Sequence, residues 1–314
     1  MSIAAVVIGR NEGDRLIACL DALQDRVAPL IYVDSGSTDG SVAAAEARGA
    51  KVVALDLTQP FTAARARNGG LAEVPESCTY VQFLDGDCVL REDWLATAQA
   101  YLDANPKTAV VCGRRRERFP DASIYNRLID EEWDTPIGQA KACGGDALMR
   151  VAPLRAAGGY REDLIAGEEP ELCVRLRTAG WQIWRLDAEM TWHDAALTQF
   201  GQWWQRSKRA GHAFAEGAAL HGKPPERHWV AETRRAVLWG AGLPATIVVL
   251  AALVGWPALL LFGIYPAQVP RLSRSKGFAW AFFTTLGKFP EAQGALQFYR
   301  NRATRRSQGI IEYK

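Results

Sequence analysis

The chain has 314 residues, is 48% hydrophobic and carries a formal net charge of +2. That length and apolar content supply a substantial core, either one large domain with an appendage or two smaller domains. A charge this near zero gives no support for nucleic-acid binding, and no nucleic-acid partner is expected. Six cysteines (Cys19, Cys78, Cys88, Cys112, Cys143 and Cys173) stand singly without a CxxC pair. The pattern reads as that of a reduced, intracellular protein with ordinary buried thiols, and neither a disulfide framework nor a zinc site is expected from it. The first apolar run stops at Gly9 without a basic segment before it, so no secretion signal is expected.

Residues 3–9, IAAVVIG, form a continuous Val- and Ile-rich run, the mark of a strand buried on both faces. DRLIACLDAL (14–23) then spaces Leu16, Ile17, Leu20 and Leu23 at helical intervals. LIYVDSGSTDGS (30–41) reads as a short strand and a turn in which Ser37 or Asp39 caps the next helix. AKVVALDL is a third strand, TAARARNGGLAEV a third helix and TYVQFLDGD a fourth strand. This alternation predicts βαβ units in a doubly wound α/β sheet, whose ligands sit beyond the carboxyl ends of the strands. Asn11, Asp34, Asp85 and Asp87 each follow a predicted strand and should converge on one crevice.

Asp85 and Asp87 raise a physical question, because two carboxylates separated by one residue at the end of a buried strand repel each other. A positive charge must compensate them, most simply a divalent metal ion. Beyond them, TAVVCGRRRERF (108–119) predicts a strand, and CGGDALMRVAPLRAAGGY a strand, turn and short helix. EEPELCVRLRTAG predicts a helix with Leu172, Cys173 and Leu176 on one face, stopped by Gly180. WQIWRLDAEMTWHD is strand-like, and TQFGQWWQRSKRAGHAFAEGAAL a long helix with a basic face.

From Ala236 to Val269 there is no charged residue, with Arg234 and Arg235 before the run and Arg271 after it. The run is longer than the roughly 20 residues of one bilayer span, and Pro244 and the GWP at 255–257 interrupt it. The tail from 271 onward is basic, with Arg271, Arg274, Lys276, Lys288, Arg300, Arg302, Arg305, Arg306 and Lys314 against Glu291 and Glu312. Such a tail stays in the cytoplasm, as does a globular half without an export signal. Both ends on one side require a hydrophobic hairpin over about 236–270, as two short spans or a re-entrant loop. The aromatic segment 277–289 suits an interfacial helix. The alternative is a buried helix pair in a soluble enzyme. The expected division is a globular domain over 1–225 and a membrane-associated helical tail over 226–314.

Five segments in order resemble the family 2 glycosyltransferases, inverting enzymes with the GT-A fold. They are VVIGRNEGDRLIACLDAL, VDSGSTDGS, ARNGGL with FLDGDCVL, GGDALMR, and GEEPELCVRLRTAGW, together covering roughly residues 1–215. The resemblance implies a mostly parallel sheet flanked by helices and a Mg²⁺ or Mn²⁺ ion on Asp87, assisted by Asp85 and completed by His193. It implies a nucleotide-sugar pocket in which Asp34 accepts a hydrogen bond from the base, Asn11 and Glu12 line the wall, and Arg67 lies near the phosphates. Ser35 stands where the family often has a second aspartate, which leaves the nucleobase open. Glu169 takes the place of the family's catalytic aspartate as general base, with Glu168 as the alternative. Arg206, with Lys208 and Arg209, resembles an element closing over the diphosphate. QWWQRSKRAG is not the Q-x-x-R-W of processive synthases, so a single transfer per encounter is expected. Trp203 and Trp204 are candidates for sugar stacking, membrane anchoring or packing. The implied protein moves a sugar, from a UDP-sugar by preference, to a lipid-linked or nascent glycan in cell-surface polysaccharide biosynthesis. It would act at the cytoplasmic face of the membrane.

Two other readings compete. VQFLDGDCV also fits the D-x-D of haloacid-dehalogenase-like phosphatases, with Asp85 as nucleophile and Asp87 as acid/base, although that motif normally ends the first strand. A non-catalytic nucleotide-binding membrane protein would keep the fold and tolerate loss of Glu169.

Overall fold

The computed structural model describes residues 2–304. The chain forms two compact units: Met1–Ala122 with Ile129–Ala196, and Ser123–Leu128 with Leu197–Lys314.

The first unit starts with the predicted alternation. β1 (Ser2–Gly9), α1 (Asp14–Asp21), β2 (Leu30–Asp34), α2 (Ser41–Glu46), β3 (Lys51–Ala54), α3 (Ala63–Ala72) and β4 (Cys78–Asp85) succeed one another in order. β1 is buried from Ile3 to Ile8, as its unbroken apolar run requires. Thr62 caps α3, its side chain accepting from the Arg65 amide at 3.1 Å. Next come β5 (Cys88–Leu90), α4 (Trp94–Ala104), β6 (Thr108–Glu117) and α5 (Ile124–Glu132), which runs across the division between the units. β7 (Gly138–Ala140), β8 (Ala147–Arg150), α6 (Val151–Ala156), α7 (Glu168–Thr178) and β9 (Gln182–His193) complete it.

The nine strands make one sheet in the order β3-β2-β1-β4-β8-β6-β9-β5, with β7 also pairing β9. Parallel pairing joins β1 to β2 and β4, β2 to β3, and β6 to β9. β8 runs antiparallel between β4 and β6, and β5 and β7 run antiparallel to β9. The sheet is therefore mixed: helical crossovers make its first four strands parallel, and the loosened alternation after Asp87 lets later strands insert in either direction. In the antiparallel register of β5 on β9, Cys88 lies opposite His193. β5 therefore carries the D-x-D turn to the end of β9.

The second unit is helical: α8 (Phe200–His221), α9 (Val230–Val237), α10 (Leu243–Val254), α11 (Ile264–Leu286) and α12 (Lys288–Thr304). α8 and α12 pack at backbone distance through Gly211 and Gly294. A Cβ on Gly211 would strike the Glu291 carbonyl, and one on Gly294 the Lys208 carbonyl. This seam places α8 with the tail, so the compact units divide at 196/197 and not at the expected 225/226.

The helical stretch Val230–Val254 is continuous and has a mean hydropathy of 2.2. Only 6% of its most apolar window is buried within the chain, which does not fit a buried helix pair. Gly255, at φ +96°, turns the chain into a 3₁₀ stretch (Trp256–Gly263). The Tyr265 hydroxyl then donates to the Trp239 carbonyl, so the chain has come back along α10 as a hairpin. The segment expected as a separate helix over 277–289 is the end of α11, beyond a break at Lys276 and Gly277, joined to the start of α12. Arg305, Arg306, Glu312 and Lys314 of the expected basic tail lie outside the described residues.

α3 sits on β1 through Gly70, where an added Cβ would meet Val6 and Val33. Gly70→Val gains some helix propensity, but overpacking costs about 1–3 kcal/mol and should outweigh it. We expect a lower thermal midpoint; an unchanged one would show that α3 does not seat on β1 here.

Candidate active site

Two loops leave the carboxyl ends of β1 and β2 and lock together. Asn11, in a left-handed conformation (φ +55°), accepts from the Thr38 amide at 2.7 Å, while its own amide donates to Ser37 Oγ at 2.9 Å. Asp39 accepts from the amides of Ser41 (2.9 Å) and Gly13 (3.2 Å), so Asp39 is the residue that closes the turn into α2. Glu12 pairs with Arg15 at 2.7 Å. Asp34 is buried; its Oδ2 accepts from the amides of Gly36 (3.0 Å) and Ser37 (2.9 Å) and its Oδ1 from the Tyr32 hydroxyl (3.0 Å). In this state the Asp34 carboxylate shapes its own loop.

The acidic centre lies at the end of β4. Arg67 on α3 is buried, and its guanidinium spans two motifs: Nη2 donates to Asp85 Oδ1 at 2.7 Å and Nη1 to Glu168 Oε1 at 2.7 Å. Arg67, expected near the phosphates, joins two carboxylates, which draw its buried charge to them. Burial alone would lower its pKa, but Asp85 and Glu168 outweigh that and hold it firmly charged. The Gly-Gly before Asp146 makes room for it: a Cβ on Gly145 would lie 2.5 Å from Arg67 Nη2 and 3.1 Å from Asp85 Oδ2. The Asp85 carboxyl is pushed up by burial, drawn back by Arg67, and pushed up again by Asp146 and Asp87.

Asp146 was not singled out by the sequence, although GGDALMR contains it. It is fully buried and accepts from the Asp85 amide (3.1 Å) and from Thr191 Oγ1 (3.3 Å), and pairs with Arg115 Nε at 3.1 Å. Arg115 belongs to the RRR run of β6, which turns it inward over the Trp133 ring at 5.2 Å. His193, at the end of β9, points Nε2 at Asp87 Oδ2 (3.2 Å) and stacks on Trp133 at 4.6 Å with an 8° interplanar angle. His193 Nδ1 is buried and has no partner among the described residues. Asp87, Cys88 and His193 offer buried ligand atoms within 4.8 Å of one another, and the Asp87 carboxylate facing the imidazole Nε2, with Asp85 two positions away, fits a divalent ion of the Mg²⁺ or Mn²⁺ type.

Glu169 sits in the first turn of α7, one residue beyond the Arg67-bound Glu168. Its Oε1 receives three donors: the Cys143 amide at 2.7 Å, Cys143 Sγ at 2.8 Å and Cys173 Sγ at 2.9 Å. Oε2 receives none of them. The two cysteines looked like ordinary core thiols; 30 positions apart in sequence, they carry no signal of this meeting. The first unit thus brings together Asn11, Glu12, Asp34, Arg67, Asp85, Asp87, Glu168, Glu169 and His193 around the ends of β1, β2, β4 and β9, whereas Arg206 lies on α8 in the second unit.

Comparison with known proteins agrees with this architecture. The model for Glycosyl transferase family 2 matches residues 4–156. The succinoglycan biosynthesis protein ExoA of Rhizobium meliloti is 26% identical over 276 residues, 82% of this chain and 80% of that one. A mannosyltransferase from Pyrobaculum calidifontis, solved with GDP-Man and Mn²⁺, superposes with a TM-score of 0.65 at 22% identity, covering 94% of this chain and 86% of its own. Glucosyl-3-phosphoglycerate synthase of Mycobacterium tuberculosis, solved with Mn²⁺ and UDP-Glc, gives a TM-score of 0.51 at 21% identity over 71% of this chain and 80% of its own. These matches set aside the phosphatase and the non-catalytic readings of the D-x-D. With a GT-A-type mixed sheet and the D-x-D at the end of β4, residues 4–156 form a glycosyltransferase family 2 domain.

Proposed function

We propose that the protein is a metal-dependent inverting transferase that moves a sugar from a nucleotide donor to an acceptor hydroxyl at a membrane surface. The observation that carries this reading is the state of Glu169: one oxygen is held by three donors and the other is left for a substrate proton. The acceptor oxygen attacks the anomeric carbon as the bond to the diphosphate breaks, and its proton passes to Glu169 Oε2. Glu168 is a poorer base because Arg67 already holds it. Its role is positioning, since Arg67 transmits its place to Asp85. Asp87, Asp85 and His193 would hold Mg²⁺ or Mn²⁺, which neutralises charge on the leaving diphosphate. Asn11, Glu12 and Asp34 form the nucleoside wall.

For the donor we favour a UDP-sugar, the class bound by the glucosyl-3-phosphoglycerate synthase, while the archaeal mannosyltransferase was solved with GDP-Man. For the acceptor we favour a lipid-linked or nascent glycan of a cell-surface polysaccharide, in line with the likeness to ExoA. The hairpin supplies the surface. Its outward arm, Trp239 to Val254, is about 22 Å long at 1.5 Å per residue, and its 3₁₀ return about 16 Å at 2.0 Å per residue. A bilayer core is about 30 Å thick, so the arms reach into one leaflet and return. Leu253, Val254, Trp256 and Leu260 at the tip are all at least 70% exposed, and Arg234, Arg235 and Arg271 flank the base. The flanking arginines support the cytoplasmic face as the side from which the hairpin enters.

Glu169→Gln keeps shape but loses the proton acceptor, so turnover should fall by about 10² to 10⁴ with donor affinity retained. Glu168→Gln should instead weaken donor binding, because it loosens Arg67 and Asp85. Near-normal turnover in Glu169→Gln would mean that another group is the base. Asp87→Ala should abolish the Mn²⁺-dependent thermal shift produced by UDP-sugars; an undiminished shift would remove Asp87 from the metal site. Leu253→Asp with Leu260→Asp should move the full-length chain from the membrane to the soluble fraction, since each buried aspartate costs about 3 kcal/mol on insertion. Retention of the double variant on membranes would sink the hairpin reading.

A further inference from the structure

We propose that Cys143, Cys173 and Glu169 form a second cation site, selective for a thiophilic divalent ion such as Zn²⁺ or Cd²⁺. Three donor atoms from two elements are already assembled. Cys173 and Glu169 lie four residues apart on one face of α7, and Cys143 comes from the loop between β7 and β8. The Cys143 amide, bonded to Glu169 Oε1 at 2.7 Å, pins that loop to the helix. The two sulfurs are 3.9 Å apart. A tetrahedral zinc ion with Zn–S bonds of about 2.3 Å holds two sulfurs about 3.8 Å apart, so the thiols need hardly move. Each sulfur is 2.8–2.9 Å from Oε1, and the carboxylate must draw back by about half an ångström to share an ion with them.

The charge balance favours the exchange. All three residues are buried. Burial, first among the causes, keeps the thiols protonated, with Cys173 pushed up to about 11 and Cys143 well above the usual thiol range. Binding one M²⁺ forms two S–M bonds and one O–M bond, breaks two S–H bonds and releases two protons to water. The cluster carries a single negative charge before and after, so the exchange adds no net charge to a buried site. Thiolates select the soft ion over Mg²⁺ or Mn²⁺, which the oxygen-rich cluster at Asp85 and Asp87 suits better. Occupation would take up the Glu169 carboxylate and stop transfer, a consequence that rests on the proposed role of Glu169 as base.

The test is titration of the purified full-length chain with Cd²⁺ in excess Mn²⁺, monitoring the sulfur-to-cadmium charge-transfer band in the ultraviolet. One equivalent should produce the band in the wild type, in Asp87→Ala and in Cys88→Ser. Cys143→Ser and Cys173→Ser should lose it while keeping a folded thermal transition, and Glu169→Gln should keep a weaker one. Zn²⁺ should compete for the site and inhibit transfer without relief by added Mn²⁺. Absence of a band in the wild type overturns the proposal, as does a band that survives Cys143→Ser with Cys173→Ser but vanishes in Cys88→Ser. A Cys143- and Cys173-dependent band with undiminished turnover upholds the cation site and removes Glu169 as the base.

Discussion

The guanidinium of Arg67 holds the acidic centre together. Putting that charge into the interior costs several kcal/mol, and two carboxylates at 2.7 Å recover it. Removing Arg67 would leave Asp85 and Glu168 without their shared counter-charge, at a cost of about 3–5 kcal/mol. The constraint extends beyond the pair. Asp85 ends β4, Glu168 opens α7 and Arg67 rides on α3, so one side chain sets the relative positions of three elements. Gly145 must lack a side chain for that guanidinium to fit.

The repulsion between Asp85 and Asp87 is met in part by the protein itself. Arg67 faces Asp85, His193 faces Asp87, and Arg115 neutralises the buried Asp146 whose carboxylate takes the Asp85 amide. Four carboxylates (Asp85, Asp87, Asp146 and Glu168) share two guanidiniums here, so a cation arriving at the D-x-D would meet an excess of negative charge. Trp133 ties two of these groups together, with His193 stacked on its ring and Arg115 over it. The carboxylate proposed as base is isolated from this network in a different way: Glu169 is held by an amide and two neutral thiols, and no cation pairs with it among the described contacts.

The second unit obeys a different rule. Its α8 and α12 touch at the backbone because Gly211 and Gly294 face the partner helix, which makes a rigid base. From that base the hairpin projects with its apolar side chains uncovered. Such a surface is favoured against another apolar phase, as the proposed membrane contact would supply.

Much of this was legible in the sequence, for identifiable reasons. The unbroken run before Gly9 and the turns after Leu30 and Phe83 are local signals, so the first four strands, their helices and the positions of Asp34, Asp85 and Asp87 at strand ends came from periodicity alone. The charge-free run after Arg235 announced the hairpin in the same way. What periodicity could not supply was partnership between distant residues. The pairing of β5 with β9 sets His193 against Asp87; the inward turn of β6 buries Arg115 on Asp146; the approach of a loop to α7 puts Cys143 beside Cys173 and Glu169. Each contact joins segments 26 to 106 residues apart or spans a mixed sheet whose antiparallel strands have no crossover signature. Residue types and spacings along the chain determined the family and the chemical groups on offer. Only the packed sheet decided which of those groups meet, because a buried charge takes its partner from whatever the fold brings within hydrogen-bonding reach.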